Sequence, residues 1–299
     1  MSKVKPKYSM VIPVRNEEKA LPKILVEVKK ALDKLNGPWE WIIVDNVSTD
    51  KSIRIIDAFN AKYKCIRLIR HKYNKGYGGS IKTGVAAANS DTVIIIDADG
   101  TYPANEIPNL VKYSKDYVLV NGARTGKHVK IPWRRKPGKF VHTMLISAAA
   151  GRHIPDMNSG LRVFNKEAFN KFLALYPDGF SISTTFLLSC VTNGLPVKFL
   201  PIDYYKRKGK SKIKYFRDGF NFAMLIVRAL TYFNPLKLFL PMGFLFFVAG
   251  LGYGIYDFTQ NGGVPDISII LIILSFLVGL FGLIADMNSK ILIHLNQRR

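Results

Sequence analysis

Residues 92–103, TVIIIDADGTYP, decide how the rest of the chain is read. The apolar run at 93–96 has the length and β-branching of a strand buried on both faces. It stops at Asp97 and Asp99, with Gly100 and Pro103 just beyond. Side chains alternate along a strand, so positions i and i+2 point the same way. Two carboxylates leaving the carboxyl end of a buried strand converge where open α/β sheets bind ligands. Their oxygens suit a hard cation, Mg²⁺ or Mn²⁺, which commonly completes its shell with phosphate oxygens. The alternative is a solvated turn that happens to carry two acids.

The chain before this stretch repeats its logic. A short apolar strand at 9–12 runs into Pro13-Val14-Arg15-Asn16-Glu17-Glu18, where proline ends the strand and the glutamates favour a helix start. The helix that follows, to about residue 35, carries Leu21, Ile24, Leu25, Val28, Leu32 and Leu35 on one stripe. Gly37-Pro38 breaks it, and a strand at 39–44 delivers Asp45-Asn46-Val47-Ser48-Thr49-Asp50. Asp50 reads equally well as the N-cap of a helix at 51–60. A third strand, 65–70, leads to Lys75-Gly76-Tyr77-Gly78-Gly79, a glycine-rich helix start able to present backbone N–H groups to an anion. It fails the dinucleotide fingerprint, because Ile81 stands where Gly or Ala is required. This alternation predicts a doubly wound, mainly parallel α/β sheet.

Beyond residue 103 the spacing predicts a helix at 104–114, a strand at 117–122 and a basic segment at 127–139. A small-residue helix to residue 150, a strand at 161–164, a helix from 166 and a hydroxyl-rich helix start at 178–185 follow.

The 299 residues include 44 basic and 21 acidic ones, a net charge of +23. Such a balance suits nucleic acid, an anionic membrane face or phosphate-rich ligands. No nucleic-acid recognition motif supports the first. The charge instead crowds residues 203–237, followed by two apolar stretches, 236–256 and 267–285. Each is close to the ~20 residues that cross a bilayer. The turn between them, 257–266, has no Lys or Arg, so the positive-inside rule puts it outside and both flanks in the cytosol. Phe216, Phe220, Met224, Val227 and Leu230 lie at helical spacing among basic residues, the pattern of an interfacial helix. The expected organisation is a cytosolic α/β domain over residues 1–212, a basic amphipathic helix over 213–235 and a membrane hairpin over 236–299. The opening MSKVKPKYSM has no secretory core. Cys65 and Cys190 lack metal-ligand spacing and read as reduced, buried thiols.

Several ordered motifs together resemble family 2 glycosyltransferases of the GT-A fold, in the polyprenyl-phosphate branch typified by dolichyl-phosphate mannose synthase. They are VIPVRNEE at 11–18, VDNVSTD at 44–50, the glycine-rich stretch at 75–84, DADGTYP at 97–103, GART at 122–125, DMNSGLRVF at 156–164, DGFS at 178–181 and RKGKSK at 207–212. The apolar hairpin resembles the two-span bacterial polyprenyl-phosphate glucosyltransferases.

The resemblance implies metal-dependent, inverting transfer from a UDP- or GDP-linked sugar to a polyprenyl or dolichyl phosphate in a plasma or endoplasmic-reticulum membrane. It implies Mg²⁺ or Mn²⁺ on Asp97 and Asp99, with Asp99 the principal ligand. Pro13, Arg15, Glu17, Asp45, Asn46, Lys75, Gly76 and Asp97 would form the nucleotide-sugar pocket, closed by Arg207 and Lys212. Arg124, Arg134, Arg135 and Ser159 would hold the acceptor phosphate, and Arg124 joins the two aspartates as a catalytic residue. A homo-oligomer is compatible with this reading. Mannose synthases usually carry an acid after the Asp-Gly-Phe match, where this chain has Thr184-Thr185, and this argues against mannose. No Q-x-x-R-W motif of processive synthases occurs. The competing readings are transfer to another lipid-linked acceptor and a non-catalytic scaffold that binds nucleotide sugar.

Overall fold

The computed structural model describes residues 5–129, 151–179, 181–206 and 235–297, with residues 143, 147, 227, 230 and 231. Seven strands in these residues form one sheet in the order β3-β2-β1-β4-β6-β5-β7. They are β1 Tyr8–Val14, β2 Trp39–Asp45, β3 Ile66–Arg70, β4 Thr92–Ile95, β5 Leu119–Ala123, β6 Arg162–Asn165 and β7 Val197–Pro201. The strands β1 to β4 pair in parallel, and β7 runs parallel to β5. β6 is antiparallel to both β4 and β5. Hence β5 runs with β4, and the start of β6 lies beside the end of both, with Arg162 opposite Ile95 and Asn121. One edge of the sheet therefore collects residues from β1, β2, β4, β5 and the beginning of β6.

The sequence pattern explains most of the packing. α1 (Leu21–Leu32) buries Leu21, Ile24, Leu25, Val28 and Leu32, and Leu35 packs against the same core. It starts later than its glutamates suggest, because Glu17 O accepts the N–H groups of Ala20 and Leu21 in a preceding turn. Pro13 lies inside β1 and does not end it. At that point β4 has already left the ladder, whose last pair is Val11 with Ile95, so the missing N–H forfeits no bond to β4. α2 (Ser52–Tyr63) and α3 (Gly76–Ala87) follow their expected positions closely. The helix expected at 104–114 is a 3₁₀ turn, Ala104–Glu106, and a short α4, Ile107–Val111, since Pro108 fixes where the helix can begin. α5 (Lys166–Lys171) is capped by Asn165, and α6 (Ile182–Thr192) is buried along most of its length. β7 is an addition to the sequence reading. The predicted small-residue helix to 150 and interfacial helix at 213–235 fall largely outside the described residues.

The chain divides into two compact units, residues 1–215 and 216–299. In the second, α7 (Leu236–Asn261) and α8 (Asp266–Gln297) form a helical hairpin. Both helices extend past the expected spans, and the turn shortens to residues 262–265, with Gly262 in the left-handed region that ends α7. Phe244, Leu245, Phe276 and Phe281 are each more than 60% exposed, the inverse of a water-soluble core. Both helices are long and apolar enough to cross a membrane. Between them, the Ser268 hydroxyl donates to Gly250 O, and a Cβ at Gly254 would stand 2.5 Å from Ser268 Oγ. Small residues let these backbones approach.

Candidate active site

At the ends of β1 and β2 two loops are zipped together by short polar side chains. Asn16 Oδ1 accepts the Thr49 N–H at 2.7 Å, and the Asn16 N–H donates to Ser48 Oγ at 3.0 Å. The Glu17 N–H donates to Ser52 Oγ, the Glu18 N–H to Asp50 Oδ2, and the Lys51 N–H to Glu18 Oε2. Asp50 also accepts the Ser52 N–H at 2.9 Å, so it tethers both the helix start and the neighbouring loop. These hydrogen bonds account for the density of Asn, Ser, Thr and Asp in both motifs. Val47 sits at φ 61°, a left-handed conformation that a β-branched residue adopts only under constraint.

Within this frame Asp45 is buried, and its carboxylate accepts long bonds, 3.3 Å from the Ser48 N–H. Asn46, equally buried, is a hub. Its Oδ1 accepts the Lys75 N–H at 2.9 Å, and its Nδ2 donates to Asn74 Oδ1 at 2.7 Å and Gly76 O at 3.2 Å. Lys75 precedes α3 and is exposed. The anion cradle expected at that helix start holds protein instead. The N–H groups of Gly78 and Gly79 donate to Asp178 O, and that of Gly76 to Asn74 Oδ1. The glycines are there because the 177–179 segment lies on them: a Cβ at Gly76 would stand 2.2 Å from Asp178 O.

The two aspartates after β4 are held differently. Asp97 Oδ1 accepts the Tyr77 hydroxyl at 2.7 Å, and a Cβ at Gly160 would meet Asp97 Oδ2 at 2.0 Å. Asp97 is therefore clamped between α3 and the segment before β6. Burial, with the Asp97 charge, pushes the Tyr77 phenol far above its ordinary pKa, so it stays a donor. Asp99 Oδ1 accepts both the N–H and the hydroxyl of Thr101, at 3.1 and 2.6 Å. Both carboxylates are partly exposed. No group of three or more His, Cys, Asp or Glu forms a metal cage among the described residues. One or two carboxylates, with ligand oxygens and water completing the shell, is the donor set Mg²⁺ commonly takes, so this pair fits a divalent cation.

Arginines occupy the other side of this edge. Arg124 follows β5 and forms a two-pronged pair with Asp156, Nε and Nη2 each 2.7 Å from a carboxylate oxygen, with its own N–H on Oδ2 at 2.9 Å. Its guanidinium lies 5.2 Å from the Tyr204 ring centre. Burial opposes the charge, but Tyr102 and Asp156 outweigh it and hold its pKa well above the ordinary value. Contact with an acceptor phosphate would thus have to come from the Nη1 side. Arg162 is buried and donates to three backbone carbonyls, Ser159 at 2.9 Å, Ser183 at 2.5 Å and Met157 at 2.7 Å. Burial lowers its pKa, partly offset by Tyr77 and Asp156. The Ser159 hydroxyl is buried and bonded to the Leu161 backbone. Thr184 Oγ1 donates to Asn158 Oδ1 at 2.7 Å, and Thr185 Oγ1 to Ser181 O. Both hydroxyls at the position of the missing acid are engaged within the protein.

The expected acceptor residues Arg134 and Arg135 and the loop residues Arg207 and Lys212 lie outside the described residues. Sequence reasoning gave no role to Tyr77, Asp156, Arg162 or His71. A charge inside the apolar run LRVF was the available signal for Arg162. Cys190 is buried, and burial pushes its thiol up to about 12; Cys65 is half-buried.

Comparison with known proteins fits this geometry. Residues 234–291 match the GtrB C-terminal hairpin. An undecaprenyl-phosphate 4-deoxy-4-formamido-L-arabinose transferase of Serratia proteamaculans is 33% identical over 177 residues, covering 58% of this chain and 54% of that protein. A dolichyl-phosphate beta-glucosyltransferase of Trichomonas vaginalis is 30% identical, covering 54% of each. The chain thus spans about half the length of these relatives. An uncharacterized protein of Methanocaldococcus jannaschii is 28% identical over 72% of this chain and 90% of its own. In fold, the chain is similar to glucosyl-3-phosphoglycerate synthase from Mycobacterium tuberculosis, crystallised with Mn²⁺, UDP-glucose and phosphoglyceric acid. That likeness has a TM-score of 0.59 at 16% identity, covering 75% of this chain and 79% of the other. Residues 9–173 match Glycosyl transferase family 2, more than half of the chain, and the chain belongs to that family.

Proposed function

We propose that this chain transfers a sugar, with inversion, from a nucleotide-diphosphate donor to the phosphate of a membrane polyprenyl phosphate. The observation that carries the reading is one sheet edge that bears Asp45 at the end of β2, Asp97 and Asp99 beyond β4 and Arg124 beyond β5, in a chain that also carries a GtrB-type apolar hairpin. The named activities of the Serratia and Trichomonas relatives support a polyprenyl-type acceptor, and the Mn²⁺ and UDP-glucose of the mycobacterial neighbour support the donor class.

Asp45 would take the base or ribose, with Pro13, Arg15, Glu17 and the Lys75–Gly76 turn around it. Asp97 and Asp99 would hold Mg²⁺ or Mn²⁺, which when bound neutralises charge growing on the leaving diphosphate. An acceptor phosphate oxygen attacks the anomeric carbon from the face opposite the diphosphate. The carbon–oxygen bond to the diphosphate breaks, and the diphosphate departs with the electron pair. A phosphate monoester has its second pKa near ~6, so at neutral pH the nucleophile is already an anion and needs no general base. Thr184 and Thr185, with both hydroxyls bonded inside the protein, agree with a site lacking that base. Arg124, Arg134, Arg135, Arg207 and Lys212 would supply positive charge to the two phosphate groups.

Membranes carrying the full chain, given labelled UDP- and GDP-sugars, should move label into chloroform-soluble lipid that mild acid releases. Label that resists mild acid would point to a different linkage, and no lipid label with any donor would leave a nucleotide-sugar-binding scaffold. The basic flanks of the hairpin should face the cytosol. Single cysteines at Gln260 and Arg299, in a chain without its native cysteines, test this with an impermeant maleimide on intact cells. Labelling at Arg299 alone would invert the orientation.

A further inference from the structure

We propose that His71 is a positioning residue of the donor pocket: its ring, wedged between Asn46 and Thr83, holds the carboxamide that shapes the Lys75–Gly76 turn. The inference rests on the reading of that turn as part of the nucleotide-sugar site.

The hydrogens around this ring are determined by its neighbours. Asn46 Oδ1 accepts the Lys75 N–H, and Nδ2 faces Asn74 Oδ1 and Gly76 O, so the carboxamide cannot be turned over. Asn74 Oδ1 is itself identified as oxygen by the Gly76 N–H it accepts. His71 Nδ1, 3.1 Å from Asn46 Oδ1, must therefore carry a hydrogen. Its Nε2 lies 3.0 Å from Thr83 Oγ1, whose hydroxyl can turn to the ring or to Gly79 O at 3.0 Å. The ring has satisfactory partners in either protonation state, but only with Nδ1–H in place. The backbone reinforces this, since the His71 N–H donates to Asp45 O at 3.0 Å. One imidazole thus ties the end of β3 to the Asp45–Asn46 corner of β2 and to α3, and the turn bearing Lys75 hangs from the same carboxamide.

The two natural amides separate the contacts. Asparagine places an amide nitrogen as many bonds from Cα as Nδ1, and glutamine as many as Nε2. His71→Asn can thus keep the bond to Asn46, whereas His71→Gln can keep only the one to Thr83. The test uses the purified full-length protein in detergent, with Mn²⁺ and either UDP or GDP as the probe. His71→Gln should weaken binding of the nucleotide that wild type prefers by about tenfold, the scale of one lost hydrogen bond. The donor KM should rise in step, while kcat stays within about twofold and the melting temperature is held. His71→Asn should recover most of the affinity. Equal binding by wild type and His71→Gln overturns the inference alone. So does an equal loss in both variants accompanied by a matching drop in melting temperature, which would mean a merely structural role. If wild type binds neither nucleotide, the donor reading falls and takes this inference with it.

Discussion

Two halves of one sheet edge treat charge in opposite ways. On the parallel half, from β3 to β4, Asp45 is buried, but Asp97 and Asp99 stand partly exposed, each supported on one oxygen by a neighbouring hydroxyl. On the other half, around β6, the charges are hidden. Asp156 is 1% exposed and gripped by Arg124, and Arg162 is satisfied by three carbonyls. A partly exposed charge at a strand end is placed where a ligand can meet it. A charge that is buried and fully bonded holds loops in register, and removing its partner strands it. The same residue types thus serve construction on one side and, in the proposed reading, recognition on the other.

The sharpest way to break this comparison is to neutralise one acid on each side. Asp99→Asn keeps an oxygen for both Thr101 bonds, so the fold and melting temperature should hold. With Asp99 as the proposed metal ligand, losing its carboxylate should nevertheless reduce transfer by more than about a hundredfold, several kcal/mol of transition-state stabilisation. Turnover near wild type at saturating Mn²⁺ or Mg²⁺ would remove Asp99 from the metal site. Asp156→Asn should do the reverse. It turns an amide N–H₂ toward Arg124 and leaves the guanidinium without a counter-charge. The expected loss is about 3–5 kcal/mol of stability, read by denaturation of the α/β unit within the full chain. A variant as stable as wild type would mean the pair is held by its surroundings alone.

A smaller effect sharpens the boundary between the halves. Tyr77→Phe removes the donor to Asp97 while leaving the ring packed. It should cost about 1–2 kcal/mol, seen as weaker Mn²⁺-dependent nucleotide binding more than as lower melting temperature. If only stability falls, Tyr77 belongs with the buried, constructive residues and not with the metal site.

How much of this was legible follows the same division. The parallel half is written locally: each strand is an apolar run that ends at a polar cluster, and α1 carries its buried stripe in plain 3.6 spacing. The hairpin was equally plain from length and charge, although its helices run on through the polar residues 257–261 that looked like a turn. The rest depends on long-range pairing. Nothing local in RVFN says that β6 runs backwards, and VKFLP in β7 alternates too weakly, with Lys198 in it, to stand out beside a buried helix. Asp156 and Arg124 are 32 positions apart, and their pairing exists only because β5 and β6 bring them together. The glycines at 76–79 were visible, but that they receive the 177–179 backbone could not be read without the fold.

The smallest expected effect tests whether the open half also contains one charge that the fold suppresses. His71 faces Asp45 from β2 and Lys75 from the start of α3, with Asn46 and Thr83 on its two nitrogens. Burial, then the Lys75 charge, lowers its pKa below the ordinary imidazole value, with Asp45 opposing. The folded state therefore binds the proton less readily than the unfolded chain. This contribution to stability is fully present above the ordinary imidazole pKa and is lost as pH falls through that value toward the folded one. Melting curves of wild type and His71→Asn, taken at steps from about pH 8 to about pH 5, isolate it. Wild type should lose the advantage of its neutral ring over that range, so the difference between the two curves should shrink or change sign toward acid. A difference that stays constant with pH would mean that His71 has an unshifted pKa and that the carboxylate and ammonium around it balance.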